Sequence, residues 1–297
     1  MKLPNGPHLD RDTKVCLFVK IKNPPKRDPT KDIKTEEGQF VNGALPNHST
    51  SPQPLLLQVR NLSRAFGGLQ ALSRVSFEIG SGEIVGVIGP NGAGKTTLFA
   101  VLSGFLTPSH GEIRFMETSI AGMRPDRLCH LGIARTFQVV RPFLEMTVFE
   151  NVKAASVFGK PSGRPAAETN REVHEILERT GIAPLGDHMA HSLSLPERKR
   201  LEVARTLATH PSLLLLDEVL AGLNPREVEE AIPFIRSLNT ERKISILMVE
   251  HNLRAIMGIC RRILVLNFGQ LIFDGTPEEA VENPEVISAY LGEKENA

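Results

Sequence analysis

Cysteine is scarce in this 297-residue sequence: Cys16, Cys129 and Cys260 are its three, widely separated and with no CxxC pair. That scatter excludes a disulfide framework or a cysteine zinc site, and the expectation is reduced thiols in a cytosolic protein. Charge of one sign is missing too, since 35 lysines and arginines meet 34 aspartates and glutamates for a net charge of +1. Such a balance argues against the basic surface with which a chain grips nucleic acid, so no nucleic-acid partner is expected. Long apolar runs are also lacking, and none approaches the roughly 20 residues that span a bilayer. The stretch Val15-Cys16-Leu17-Phe18-Val19 sits between lysines and is too short for the apolar core of a signal peptide. The chain reads as soluble, so any membrane role comes through a partner. There is no internal repeat.

Residues 1–54 carry Pro4, Pro7, Pro24, Pro25, Pro29, Pro46, Pro52 and Pro54, scattered charges and one short apolar run. Such a segment buries too little surface to offset its ordering entropy, and disorder is expected there. A docking tail and an upstream translation start assigned in error both remain open for it. Order is expected from Leu55, with a strand over residues 55–60 and a second over 73–79, where Val75, Phe77 and Ile79 alternate. A short strand over residues 111–115 follows, then a mostly helical stretch over about residues 120–209, broken by a loop at residues 160–165. Residues 212–216 and 244–249 are continuous apolar runs, the pattern of strands in a parallel sheet covered on both faces. Near the end, Asn267-Phe268-Gly269 reads as a hairpin turn between two short strands.

The most specific segment is Gly89-Pro90-Asn91-Gly92-Ala93-Gly94-Lys95-Thr96-Thr97, directly after the apolar run Ile84-Val85-Gly86-Val87-Ile88. Its spacing is that of a phosphate loop, G-x-x-x-x-G-K-T, lying between a strand and a helix. The glycines let successive N–H groups turn inward around a phosphate chain. The Lys95 ammonium can neutralise β- and γ-phosphate charge, and the Thr96 hydroxyl can ligate Mg²⁺. The helix that follows favours an anion at its N-terminus. No second loop of this kind occurs. Further on, Leu213-Leu214-Leu215-Leu216 delivers Asp217 at the end of an apolar strand, where a carboxylate can hold Mg²⁺. The adjacent Glu218 is placed to polarise a water for attack on the γ-phosphate.

With these residues the sequence resembles the ATP-binding cassette family from about residue 55 to 293, leaving residues 294–297 as a tail. The resemblance implies an α/β P-loop NTPase cassette with a mostly parallel sheet core, an antiparallel β subdomain and a helical subdomain. It also assigns roles. Gln138, in Ala134-Arg135-Thr136-Phe137-Gln138, matches the glutamine that contacts metal and water and senses a transmembrane partner. His251, in Val249-Glu250-His251-Asn252, matches the histidine that contacts the γ-phosphate, and Phe66 matches the aromatic that stacks on adenine. ATP and Mg²⁺ are the implied ligands. The segments Phe66 to Leu72, Gly132 to Gln138, Glu145 to Asn151, Ala221 to Pro225 and the end from Asn267 through Glu293 are similar to the branch that energises uptake of branched-chain amino acids and related solutes. That likeness implies a peripheral subunit at the cytoplasmic face of the inner or plasma membrane. Its implied partners are transmembrane permease subunits, a second ATPase subunit and a solute-binding protein.

One segment departs from the family. Where the family carries Leu-Ser-Gly-Gly-Gln, this chain reads Leu193-Ser194-Leu195-Pro196-Glu197. Ser194 remains a helix N-cap candidate and a donor to the partner's ATP. Pro196 has no N–H for an anion, and Glu197 adds negative charge where phosphate would sit. In the family each of two ATP molecules lies between one chain's phosphate loop and the other's signature. The departure therefore implies a heterodimer with one proficient and one weaker site, while a homodimer would be impaired at both. Rival readings are an exporter or lipid-transport ATPase, a non-transport cassette protein acting on ribosomes or DNA, and a nucleotide-binding scaffold. The single cassette, the near-neutral charge and the presence of Glu218, Gln138 and His251 weigh against the last two.

Overall fold

The computed structural model describes residues 54–137, 141–159 and 164–291. In chain order the strands and helices are β1 (Leu55–Phe66), β2 (Leu69–Gly80), β3 (Ile84–Ile88), α1 (Lys95–Leu102), β4 (His110–Phe115), β5 (Thr118–Ser119), α2 (Pro125–Leu131) and β6 (Ile133–Arg135). Then come α3 (Val148–Gly159), α4 (Ala166–Arg179), α5 (Leu195–Leu207), β7 (Leu213–Asp217), α6 (Pro225–Arg242), β8 (Ser245–Val249), α7 (Leu253–Ile259), β9 (Arg262–Asn267), β10 (Gln270–Gly275), α8 (Pro277–Glu282) and α9 (Pro284–Leu291). The expected 1–54 extension, apart from Pro54, and the 294–297 tail lie outside the described residues.

Two sheets result. An antiparallel sheet runs β2-β1-β4-β5, and a mostly parallel one runs β10-β9-β3-β8-β7-β6 with β10 antiparallel to β9. This is the α/β arrangement with a parallel core and an antiparallel β layer that the resemblance implied. The apolar runs are continuous because the large sheet is covered on both faces. In β7, Leu213 and Leu215 enter one core while Leu214 and Leu216 enter the other; in β8, Leu247 and Val249 part from Ile246 and Met248 in the same way. The first core lies against the antiparallel sheet and α1. The second lies under α3 to α7.

Strand β1 runs six residues beyond the expected 55–60, through register shifts between Val59 and Ala65. Strand β6 falls inside the stretch expected to be mostly helical. It is three residues long and, among the described residues, pairs in parallel with β7 alone, Ile133 opposite Leu213 and Arg135 opposite Leu215. A strand that short carries no periodicity, and the neighbouring β7 recruits it.

Candidate active site

The parallel ladder brings the chemistry-bearing residues to one edge. Val87 pairs with Val249 and Asp217 also pairs with Val249, so β3, β8 and β7 end side by side. The phosphate loop, Glu250-His251 and Asp217-Glu218 therefore all leave the sheet at its carboxyl end, where open α/β sheets bind ligands. At Gly94, with φ of 102°, an added Cβ would lie 2.6 Å from the Ala71 carbonyl oxygen. At Gly89, with φ of 148°, it would lie 2.1 Å from that of Leu266. The loop is thus seated on two neighbouring backbones and leaves no room for side chains there. Pro90 is half-buried, Asn91 and Gly92 are exposed, and Ala93 is buried with its carbonyl accepting from Gly269 N–H at 3.0 Å.

Lys95 opens α1 and is buried, with Nζ donating to the carbonyls of Gly89 at 2.8 Å and Pro90 at 3.0 Å. Burial lowers its pKa and the Glu218 carboxylate counters that shift, which ties the lysine electrostatically to Glu218. Thr96 and Thr97 lie in the same first turn, exposed and half-buried respectively. That turn has no acidic side chain, so the N–H groups and dipole of α1 face a phosphate without competition.

Glu218 adopts a left-handed backbone with φ of 50°, a strained conformation for a residue with a side chain. The kink turns its carboxylate back across the strand ends, where Oε1 lies 2.9 Å from His251 Nε2. The structure thus brings together Lys95, Glu218 and His251. Asp217 is 4% exposed and receives Arg135 Nη2 on Oδ2 at 2.6 Å. Arg135 also donates to Ser103 Oγ at 3.0 Å, and its guanidinium lies 5.6 Å from the centre of the Phe137 ring. Within Ala134-Arg135-Thr136-Phe137 the arginine follows no motif of its own; its role as counter-ion to Asp217 depends on the β6–β7 pairing. Tyr290 is equally silent in the sequence. Its hydroxyl is hydrogen-bonded by the Gly89 backbone, and burial pushes its pKa up to about 12.

Two further predicted residues lie at the end of β1 and at the start of α5. Phe66 ends β1, 43% exposed, with the Arg64 guanidinium 4.6 Å above its ring. Ser194 heads α5, where both its N–H and its hydroxyl donate to Glu197 Oε2 at 2.7 Å. Those bonds hold the Glu197 carboxyl below its usual range. Gln138 lies outside the described residues. No cluster of three or more His, Cys, Asp or Glu side chains able to hold a metal occurs among the described residues. The oxygen donors of Asp217 and Thr96 nevertheless suit a hard cation that shares its ligands with phosphate and water.

Known proteins resemble this chain along most of its length. A family model described as "ABC transporter" matches residues 72–221, and one described as "Branched-chain amino acid ATP-binding cassette transporter" matches residues 270–296. The chain is 42% identical over 253 residues to the high-affinity branched-chain amino acid transport ATP-binding protein LivG of Salmonella typhimurium, covering 81% of this chain and 99% of that one. It is 35% identical to the lipopolysaccharide export system ATP-binding protein LptB of Acidithiobacillus ferridurans, covering 80% and 98%. Among solved structures, the ADP conformation of MJ1267, an ATP-binding cassette of an ABC transporter, superposes with a TM-score of 0.73 at 31% identity, covering 80% of this chain and 99% of that one.

Proposed function

The chain belongs to the ATP-binding cassette family of ABC transporters and is an ATPase, and from that premise we propose that it powers the uptake of branched-chain amino acids or related small solutes. The observation that carries the uptake reading is the 42% identity to LivG along 99% of its length, higher than the 35% to the export subunit LptB. No helix among the described residues is long and apolar enough to cross a membrane. On the uptake reading the chain acts as a peripheral subunit on the cytoplasmic face, docked on transmembrane permease subunits, paired with a second ATPase subunit and supplied by a solute-binding protein.

The family likeness, together with the geometry at Lys95, Asp217, Glu218 and His251, supports the following roles. The backbone N–H groups of residues 89–97 and the Lys95 ammonium bind and orient the triphosphate, and Phe66 stacks on the adenine. Thr96 and Asp217, with Gln138 as the family likeness implies, would hold Mg²⁺, which when bound offsets phosphate charge. Arg135 fixes the Asp217 carboxylate by one oxygen. Glu218 accepts a proton from the attacking water. His251, hydrogen-bonded to Glu218, orients that carboxylate and reaches the γ-phosphate. Positioning and electrostatics do most of the work in such transfers. Replacing Glu218 with Gln removes the proton acceptor but keeps its shape. Turnover of ATP in the purified complex should fall by about 10²-fold or more while nucleotide affinity holds; unchanged turnover would overturn the assignment.

The start of α5 supports a second feature. Glu197 accepts both hydrogen bonds that Ser194 could otherwise offer an anion, and Pro196 has no N–H to give. This helix start resists phosphate, so the ATP gripped by the partner's phosphate loop is the weaker site. The ATP gripped by Lys95 depends on the partner's signature and is the proficient one.

A further inference from the structure

Loop residues 218–221 connect the catalytic Glu218 to the turn before α6, and two side chains from separate elements hold their backbone. From α5, Lys199 Nζ donates to the carbonyls of Glu218 at 3.4 Å and Val219 at 3.2 Å, and to that of Ala221. An ammonium has three N–H donors, so this loop can use all of them. From the end of β8, the buried Glu250 accepts the Leu220 N–H at 2.8 Å on Oε1. Glu250 immediately precedes His251, which bonds the Glu218 side chain. Burial lowers the pKa of Lys199 while Glu250 and Glu218 both counter it, so the three ionisable groups face one another.

Packing alone does not fix this loop. A cavity of about 240 Å³ lies beside it, lined by Val219 and Leu220 of the loop, Pro196, Lys199 and Val203 of α5, and Phe234 of α6. The left-handed backbone at Glu218 also needs its surroundings to hold it.

We infer that Lys199 and Glu250 are positioning residues that clamp residues 218–221 from two separate elements, so that the aim of Glu218 depends on where α5 sits. The inference rests on the reading of Glu218 as the proton acceptor. It gives the start of α5 a hold on hydrolysis within its own chain. Lys199 connects the helix to the loop that carries the carboxylate, and Glu250 connects the same loop to the strand end that carries His251.

The test is steady-state ATP turnover by the full-length chain in its native assembly, with equilibrium binding of a fluorescent ATP analogue measured beside it. Lys199→Met should lower kcat about tenfold, as expected for a reacting group displaced by a fraction of an ångström, with KM and nucleotide affinity within about twofold. Lys199→Arg keeps charge and several donors and should recover kcat to within about threefold. Glu250→Ala should match the loss in Lys199→Met, while Glu250→Gln keeps an acceptor for Leu220 and should stay within about threefold; this pair decides the matter if Lys199→Met fails to fold. Glu218→Gln is the control. If it keeps its turnover, the reading of Glu218 is wrong. If it loses turnover while Lys199→Met and Glu250→Ala keep kcat, the clamp is wrong. Parallel loss of kcat, KM and affinity with no recovery in Lys199→Arg would also overturn the clamp.

Discussion

At the scale of the residue, Glu250 shows what the site costs. Burial raises its pKa from the ordinary 4.5 to about 7, against the pull of the Leu220 N–H and Lys199; Glu218 adds to the rise, and Cys260 faces it from beyond α7. Between those pH values the folded chain holds a proton that the unfolded chain releases. The stability tied to Glu250 is therefore full below about pH 4.5 and is lost as pH rises through about 7. Glu250→Gln keeps the site neutral at every pH. Its stability relative to the unsubstituted chain should improve from pH 5 to pH 8, by at most about 3 kcal/mol, measured by urea unfolding. A difference that does not vary with pH would contradict the account. Residues of this kind were not legible in the sequence. Lys95, Asp217, Glu218 and His251 announce themselves by local spacing after apolar runs. Arg135, Lys199, Glu250 and Tyr290 act through partners distant in sequence, and nothing in their spacing names those partners.

At the scale of the element, the β9–β10 hairpin acts as a strap on the phosphate loop. Gly269 N–H donates to the Ala93 carbonyl at 3.0 Å, and the Gly269 carbonyl accepts from Ser73 N–H at 2.8 Å. With φ of 76° and only 2.7 Å between an added Cβ and the Ala71 carbonyl oxygen, Gly269 leaves no room for a methyl group. Gly269→Ala should therefore push the hairpin off the loop and weaken ATP binding by about tenfold, roughly the 1.4 kcal/mol of one lost, well-placed hydrogen bond. Equilibrium binding checks this, and unaltered affinity would refute it. The turn at Asn267-Phe268-Gly269 was legible from its residues, but its contact with the phosphate loop was not, because a turn signal says nothing about what the turn lies against. The long strands β7 and β8 were legible for the opposite reason: burial on both faces writes itself as an unbroken apolar run. Strand β6 was hidden because three residues hold no pattern, and its partner decides its conformation.

At the scale of the whole molecule, the proposed pairing puts two faces of the chain on two different nucleotides. On that proposal the phosphate loop with Glu218 and His251 makes one half of a site, and the start of α5 makes the other half of a second. Since Pro196 and Glu197 disfavour phosphate at α5, Glu218→Gln in this chain should remove most ATP turnover, and the equivalent change in the partner should remove little. Equal losses would contradict the asymmetry. Above both lies the claim that this ATPase drives solute inward. The most direct measurement reconstitutes the chain with its permease, second ATPase subunit and solute-binding protein in lipid vesicles, ATP being supplied on the side of this subunit. The account predicts that radiolabelled leucine is carried from the binding-protein side to the ATP side, and that Glu218→Gln abolishes the transport. Movement of leucine away from the ATP side, or ATP turnover with no amino-acid transport in either direction, would contradict it.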